Sequence, residues 1–141
     1  MAIFSLLSLH VRGLSKVSKR RAIFTWCRRK VADIILLQET HSVSEQQHGW
    51  ENEWGGRIYF SHGKPNARGV AILLKNGLDA KVISSRNDKD GRFLLVHIEI
   101  QDVMYKTANI YAPNKDNKAV RYFSNIHSML SEDCLVEDNL I

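Results

Sequence analysis

The chain has 141 residues, of which 44% are hydrophobic and 25% are charged, and its formal net charge at pH 7 is +5. This composition is ordinary for a globular domain with one hydrophobic core, and it excludes a low-complexity chain. No stretch is long and apolar enough for a membrane span, so we expect no membrane partner.

The charge is distributed unevenly along the chain. Residues 1–32 hold eight basic residues and no acidic ones, whereas residues 132–141 hold four acidic residues and no basic ones. A basic segment of this kind attracts a phosphate backbone, or it forms the solvated face of a helix. The composition fits both interpretations.

The first third of the chain predicts a strand, a helix and a second strand. The strands fall at residues 3–11 and 33–38, and the helix at residues 15–31, with Ser15 as its N-cap. The apolar residues expected on one face of that helix are Val17, Ala22, Ile23, Trp26 and Cys27. A helix of this length between two strands indicates a crossover between neighbouring strands.

The rest of the chain predicts strands joined by short turns, followed by a second helix. Residues 42–55 fit either a short helix or an irregular loop. Strands are predicted at residues 57–61, 70–74, 80–85, 93–100 and 104–111, and the last four form a meander of hairpins. Residues 116–130 form a helix with an apolar stripe of Ala119, Tyr122, Phe123, Ile126, Met129 and Leu130.

The two cysteines carry no recognisable chemistry. Cys27 and Cys134 lack a metal-binding or redox spacing. This indicates two reduced thiols in an intracellular protein.

Two of the predicted strands end in polar residues, and these ends carry the functional signal. Residues 34–41 read Ile-Ile-Leu-Leu-Gln-Glu-Thr-His, which places the Glu39 carboxylate where a buried strand leaves its sheet. Burying this carboxylate without a partner costs several kcal/mol or more, so it needs a cation, hydrogen bonds or solvent. Residues 105–114 end in Tyr-Ala-Pro-Asn, and Asn109 shares a strand face with Tyr111, where it can join a network. Together these ends predict a site across one rim of a sheet.

Both segments resemble the exonuclease–endonuclease–phosphatase family, whose fold is DNase-I-like. The residues of these motifs are most similar to those of the apurinic-endonuclease-like nuclease domains of LINE-type retrotransposons. Three further motifs stand in the family's order: Leu-His-Val-Arg-Gly-Leu at residues 9–14, Lys-Arg-Arg at residues 19–21, and Arg-Gly-Val-Ala-Ile-Leu-Leu at residues 68–74. The resemblance implies an α/β (α+β) fold, a two-sheet sandwich of which this chain is roughly the N-terminal half.

Domain extent also follows from the resemblance. Residues 1–141 are expected to be a partial domain that stops before the family's Gly-Asp-x-Asn and Ser-Asp-His motifs. One sheet of such a half-domain is expected to leave its apolar inner face open, which favours aggregation.

The resemblance also implies roles for single residues. Glu39 matches the metal-binding glutamate, and Mg²⁺ (with Mn²⁺ as an alternative) suits one strand-end carboxylate. Tyr111 and Asn114 match residues that border the scissile phosphate, and His10 stands where the family has asparagine. Without the resemblance, Glu39 reads as a turn cap and Tyr111 as a residue packed over the proline.

Nucleic-acid contacts are predicted at Arg12, His41 and Arg68. The alternatives are the solvated helix face of the basic segment for Arg12, a solvated loop for His41 and surface solubilisation for Arg68. The implied function is Mg²⁺-dependent phosphodiester hydrolysis of DNA by an intracellular endonuclease, the nucleus being one location, with activity impaired by the missing half. The alternatives are a phosphatase of the same superfamily and a non-catalytic remnant that binds nucleic acid.

Overall fold

A computed structural model of the protein describes residues 4–113, 116–133 and 139–140. Within these ranges, eight strands form two four-stranded sheets and three α-helices flank them. The strands are β1 (Leu6–His10), β2 (Ile34–Gln38), β3 (Ile58–Ser61), β4 (Val70–Leu74), β5 (Ala80–Asn87), β6 (Phe93–Ile100), β7 (Val103–Ile110) and β8 (Asn139–Leu140). The helices are α1 (Val17–Arg29), α2 (Gln47–Trp54) and α3 (Asp116–Asp133), and a 3-10 turn spans Ser44–Gln46. None of the helices described is long and apolar enough to cross a membrane.

The first sheet has the strand order β1-β2-β4-β3. β1 and β2 run parallel and are joined through α1, as the predicted crossover requires. β4 pairs antiparallel with both β2 and β3. β2 and β4 occupy the middle of this sheet, which explains why both read as continuous aliphatic runs.

The second sheet has the order β5-β6-β7-β8, with β5, β6 and β7 in the predicted antiparallel meander. The predicted hairpin between β4 and β5 is wrong, because these two strands belong to different sheets. Both edges of β4 are already paired, so the chain crosses to the second sheet over residues 75–79.

The two sheets pack face to face, and the inner layer between them is apolar. Its buried residues are Ile34, Leu36, Val70, Ile72 and Leu74 from one sheet and Leu94, Val96, Ile98 and Ile100 from the other. The expectation of an open apolar inner face is therefore wrong. The segment after β4 already supplies the strands that cover it.

The helices cover the outer faces, with departures from the predicted stripes. On α1, Phe24 and Cys27 are buried, whereas Val17 and Trp26 are exposed. The predicted cap is also wrong, because Lys16 is the N-cap and the Ser15 hydroxyl donates to the Pro65 carbonyl at 3.2 Å.

The segment at residues 42–55, which left two possibilities open, contains α2. Trp50 and Trp54 of this helix are buried against the first sheet, and Gly55 ends it in a left-handed conformation. On α3, Ile126 is buried with Tyr122 and Leu130 packed beside it, but Phe123 is exposed. Cys27 is a free thiol, and burial raises its pKa to about 11 against the opposing charge of Arg28; Cys134 lies outside the described residues.

A buried ion pair joins α1 to α2. The Arg20 guanidinium donates to both carboxylate oxygens of Glu53, at 2.6 and 2.8 Å, and to the carbonyls of Leu14 and Ser15, at 2.9 and 3.2 Å. It also lies over the Trp50 ring at 5.0 Å. Arg20 is only 6% exposed, so it is removed from the basic face that the sequence suggested.

This pair gives a pH-dependent prediction. The hydrogen bond from Arg20, together with its charge, lowers the pKa of Glu53 below the usual 4.5. The pair therefore stabilises the fold above pH 4.5, and this contribution is lost as the pH falls through the lowered pKa. We expect Glu53→Gln to cost about 1–3 kcal/mol at neutral pH and progressively less in acid. Thermal unfolding followed by circular dichroism at several pH values measures this, with the exposed Glu45→Gln as the matched control. An equal loss at neutral and acidic pH would contradict the assignment.

Candidate active site

Strand ends from both sheets meet at one rim of the sandwich. β1 and β2 both finish there, since His10 pairs with Gln38, and β4 begins there, since Val70 also pairs with Gln38. In the second sheet, β6 begins and β7 ends at the pair Phe93 and Ile110. This edge is called the rim below. The topology therefore places Glu39 and Tyr111, which follow β2 and β7, on the same side of the molecule.

A buried amide network joins the two sheets directly beneath the rim. The side-chain nitrogen of Asn109 donates to the carbonyls of Leu37 and Ala71, at 2.9 and 2.8 Å. Its oxygen accepts a hydrogen bond from the Gln38 amide at 2.8 Å, and Gln38 also donates to the Ser8 hydroxyl at 3.1 Å. Asn109 is 1% exposed. The network role expected for Asn109 is confirmed, and the structure adds that it crosses between the sheets.

Glu39 directly follows Gln38, and its carboxylate lies between two histidines at the rim. One oxygen is hydrogen-bonded to His10 Nε2, and the other lies 3.7 Å from His41 Nε2. The carboxylate side chain is 25% exposed, so it can still be reached from solvent. Burial raises the pKa of this carboxyl, but the hydrogen bond and charge of His10, with those of His41, outweigh it and the pKa of Glu39 is lowered. Glu39 is thus held ionised at neutral pH.

Tyr111 closes the rim on the side of the second sheet. Its ring centroid lies 5.8 Å from that of His10. The Tyr111 amide donates to the Arg92 carbonyl at 2.7 Å, and the Arg92 guanidinium returns a hydrogen bond to the Tyr111 carbonyl at 3.2 Å and lies over its ring at 5.5 Å. A shallow cavity of about 370 Å³ lies between these groups, lined by Ser8, His10, Gln38, Asn109, Tyr111 and Ala112 among others. Asn114 lies outside the described residues.

The loops at the rim hold four of the predicted site residues in left-handed backbone conformations. The φ angles are 52° at Arg12, 58° at Glu39, 59° at His41 and 61° at Arg68. Such conformations cost about 1–3 kcal/mol each in non-glycine residues and occur preferentially at functional sites. Four of the seven non-glycine residues with positive φ in the described structure are therefore site residues predicted from the sequence.

Backbone hydrogen bonds compensate this strain by joining the loops to one another. Gly13 and Leu14 donate to the carbonyls of Glu39 and Thr40, at 2.6 and 2.9 Å. Thr40 and His41 donate in turn to the carbonyls of Gly69 and Arg68, at 2.9 and 2.8 Å. The loop that carries Glu39 is therefore held between the other two.

Glycines allow these loops to approach so closely. A Cβ on Gly69, whose φ is +96°, would lie 2.4 Å from the Thr40 hydroxyl. A Cβ on Gly13 would lie 2.6 Å from His41 Nδ1. The Arg-Gly pairs at residues 12–13 and 68–69 thus have a packing role as well as a place in the sequence motif.

The three residues predicted to contact nucleic acid differ in their exposure to solvent. Arg12 is exposed, and Arg68 is partly exposed with its guanidinium 3.5 Å from the Asp90 carboxylate. His41 presents a side chain only 16% exposed and packs against Gly13, so it faces Glu39 more than solvent. Contact between nucleic acid and these three residues stays a prediction.

The rim offers few protein ligands for a metal ion. Across the described ranges, no three His, Cys, Asp or Glu side chains come together in a group that could hold one. Glu39 is the carboxylate at the centre of the rim, with His10 and His41 as its neighbours.

Sequence reasoning missed Arg92 as part of the rim. It directly precedes β6, and the pairing of Phe93 with Ile110 brings it opposite Tyr111. The predicted hairpin between β6 and β7 contained this information, because the first residue of one strand faces the last residue of the other.

The family follows from comparison of the sequence with known families. A family model described as the endonuclease/exonuclease/phosphatase family matches residues 7–128. The chain belongs to this family. Its structure is a DNase-I-like α+β sandwich, as the resemblance implied.

A curated relative of this family member is a transposon protein. The chain is 25% identical over 126 residues to the Transposon TX1 uncharacterized 149 kDa protein of Xenopus laevis. That match covers 89% of the chain but only 10% of the relative.

Solved structures share the fold at low sequence identity. One is humanized D. rerio TDP2 with 14 mutations, with a TM-score of 0.69, 12% identity, and coverage of 97% of this chain and 58% of that one. Another is the endonuclease domain of TRAS1, a telomere-specific non-LTR retrotransposon, with a TM-score of 0.64, 18% identity, and coverage of 97% of this chain and 57% of that one. A third is an AP endonuclease from Archaeoglobus fulgidus, with a TM-score of 0.65, 17% identity, and coverage of 96% of this chain and 53% of that one. The chain spans little more than half of each of these structures.

The close loop packing yields a matched pair of variants. Gly69 and Gly77 both have left-handed backbones, with φ of +96° and +86°, but a Cβ on Gly77 meets nothing within 4 Å. We expect Gly77→Ala to cost about 1–2 kcal/mol through backbone strain alone. Gly69→Ala pays the same strain and adds an overlap with Thr40, so it should cost at least about 1 kcal/mol more. Denaturant unfolding measures both, and equal losses would show that the contact between Gly69 and Thr40 is not tight.

Proposed function

We propose that this chain forms part of a Mg²⁺-dependent endonuclease that hydrolyses phosphodiesters of DNA. The observation that carries the proposal is the convergence of Glu39, His10 and Tyr111 at one strained rim in a member of this family. The relatives add support, since one is a transposon protein and matched structures include a retrotransposon endonuclease domain and an AP endonuclease. These relatives favour DNA over the inositol phosphates or lipids of a phosphatase.

The chemistry of Glu39 fits a Mg²⁺ site. Mg²⁺ takes oxygen ligands, keeps several waters and is commonly held by one or two carboxylates together with substrate phosphates. Glu39 offers an ionised, partly exposed carboxylate and is the residue that would hold the ion. When bound, the metal would supply Lewis-acid stabilisation of charge on the phosphoryl oxygens.

His10 tunes this carboxylate. Its imidazole hydrogen-bonds one Glu39 oxygen, and at 48% exposure its side chain has room to move away. An asparagine at this position, as the family resemblance implies, would bring no positive charge near a cation. We therefore expect His10 to weaken Mg²⁺ binding without preventing it.

Tyr111 and Asn114 would supply neutral donors to the phosphate. A phenol O–H and an amide N–H can stabilise oxygens that gain negative charge in the transition state. Arg92 holds Tyr111 through its backbone and its ring, which limits the positions that the phenol can take. Such preorganisation is what lets fixed donors accelerate a reaction.

Activation of the attacking water is the step that these residues serve least well. The family mechanism uses a His–Asp pair, whereas the rim histidines His10 and His41 both face the carboxylate assigned to the metal. We therefore propose that the water-activating pair lies outside the rim groups described, and that this chain cuts DNA slowly on its own. The contact between His10 and Glu39 also favours the alternative of a non-catalytic, nucleic-acid-binding remnant. An intracellular location stays a prediction.

Plasmid nicking tests the proposal. We expect slow, Mg²⁺-dependent conversion of supercoiled to open-circular plasmid by the wild-type chain, lost with EDTA. Glu39→Gln should lower the rate by about 10²-fold, because it removes the ionised ligand while keeping the shape of the side chain. His10→Asn should lower the Mg²⁺ concentration at half-maximal rate, because it frees a carboxylate oxygen.

The controls separate loss of chemistry from loss of fold. Glu45→Gln makes the same chemical change at an exposed position that does not line the rim cavity, and it should nick like wild type. Nicking that is independent of Mg²⁺, or equal in Glu39→Gln, would contradict the assignment of Glu39. Plasmid binding without nicking in every variant would favour the non-catalytic alternative.

A further inference from the structure

A second polar groove begins next to the rim, between the start of β6 and helix α3. Its volume is about 350 Å³, and we call it the basic groove. The lining residues that matter here are Asp90, Arg92, Lys118, Arg121, Tyr122 and Asn125. None of them is among the site residues predicted from the sequence.

Arg92 connects the basic groove to the rim. Its guanidinium lies over the Tyr111 ring and donates to the Tyr111 carbonyl, while its side chain also lines the groove. The Tyr122 hydroxyl donates to the Arg92 carbonyl at 2.6 Å. Burial, with Asp88 nearby, raises the pKa of this phenol, so it stays a neutral donor and ties α3 to the rim. The groove therefore has a fixed position relative to Tyr111.

Helix α3 presents a polar stripe to the groove. Lys118, Arg121 and Asn125 follow one another at spacings of three and four residues, which places them on one helical face. All three are exposed and line the groove, whereas Tyr122, Ile126 and Leu130 turn toward the second sheet. The stripe therefore lies on the solvent-exposed side of α3, away from the core.

The balance of charge in the groove is positive. Arg92, Lys118 and Arg121 contribute three basic groups, and Asp90 contributes one acidic group among the lining residues that the structure describes. The Asp90 carboxylate lies 3.5 Å from the Arg68 guanidinium, so it also has a basic partner outside the groove. Guanidinium and ammonium groups beside an amide donor match the oxygens of a phosphodiester.

We propose that the basic groove binds backbone phosphates of the nucleic-acid strand that runs past Tyr111, on one side of the phosphate to be cleaved. The inference rests on the proposed function for its substrate class. It extends that function by assigning the path that the strand takes over the protein surface, from Tyr111 along the basic groove. Phosphate contacts of this kind fix register and orientation and are independent of base sequence. The groove therefore contributes affinity and positioning rather than sequence specificity.

Salt-dependent DNA binding tests the groove directly. A short fluorescein-labelled duplex and the corresponding single strand are titrated with protein in EDTA, which prevents cleavage, at several NaCl concentrations. We expect Lys118→Gln and Arg121→Gln each to weaken binding and to reduce the slope of log K against log salt by about one unit. Arg121→Glu should weaken binding further, and Arg121→Lys less.

Two control variants carry the same change of charge elsewhere. Arg29→Gln, in the last turn of α1, and Lys81→Gln, on β5, alter exposed residues away from the groove and should leave the slope unchanged. Unchanged thermal unfolding confirms that each variant is folded. Equal losses in groove and control variants, no loss in either, or no DNA binding by the wild type would overturn the proposal.

The same variants distinguish failure of this inference from failure of the proposed function. A wild-type chain that binds through the groove but never nicks would contradict the nuclease and leave the groove intact. A chain that nicks in a Glu39-dependent manner, while groove variants bind and nick like the controls, would contradict only the groove.

Discussion

The side-chain amide of Asn109 fixes the arrangement on which the rim depends. It lies in the buried layer between the sheets and uses both its donor and its acceptor capacity on the opposite sheet. Leaving such buried groups without partners costs about 1–3 kcal/mol each, so the two sheets are held in one alignment. Gln38 directly precedes Glu39, and Asn109 lies two residues before Tyr111. One hydrogen bond between Gln38 and Asn109 therefore sets the separation of the proposed metal ligand and the proposed phosphate donor.

Above this network, the rim combines strained backbone with tight packing. Glu39 and His41 take left-handed backbone conformations. The segment that contains them accepts hydrogen bonds from the loop of Gly13 and donates hydrogen bonds to the loop of Gly69, so it is held between these two loops. The free-energy cost of fixing this carboxylate in place is met when the protein folds, so it does not reduce the affinity for a ligand. In the same arrangement, the His10 imidazole is hydrogen-bonded to Glu39. An imidazole is a more basic group than the asparagine side chain that the family resemblance implies at this position.

The sequence predicted those features of the fold that depend on local pattern. The aliphatic runs of β2 and β4, the crossover through α1 and the meander from β5 to β7 all lie close to their expected positions, because periodicity and turn residues are local signals. The partition of strands between sheets was not predictable in this way. Asn76 and Gly77 have the composition of a hairpin turn, yet β4 pairs with β2 and β3, which lie earlier in the chain. Likewise, the charge of Arg20 suggested a surface residue until its partner Glu53 was known.

The candidate site shows the same division. Glu39 and Tyr111 could be identified because polar residues at the ends of buried strands are conspicuous and because the motifs resemble those of a family. Arg92 and the stripe of Lys118, Arg121 and Asn125 could not, because their role arises only when α3 packs beside the start of β6. Tertiary contacts, and not residue type, give these groups a place next to the rim.

A double-mutant cycle between Gln38 and Asn109 tests the central claim most directly. Gln38→Leu, Asn109→Leu and the double variant are compared by denaturant unfolding. Thr107→Val serves as the control, since its buried hydroxyl has no hydrogen-bond partner among the described residues. The account predicts a coupling energy of at least about 1 kcal/mol between the two amides and no loss for Thr107→Val. Effects that add within about 0.5 kcal/mol would contradict the claim that this hydrogen bond holds the two sides of the rim together.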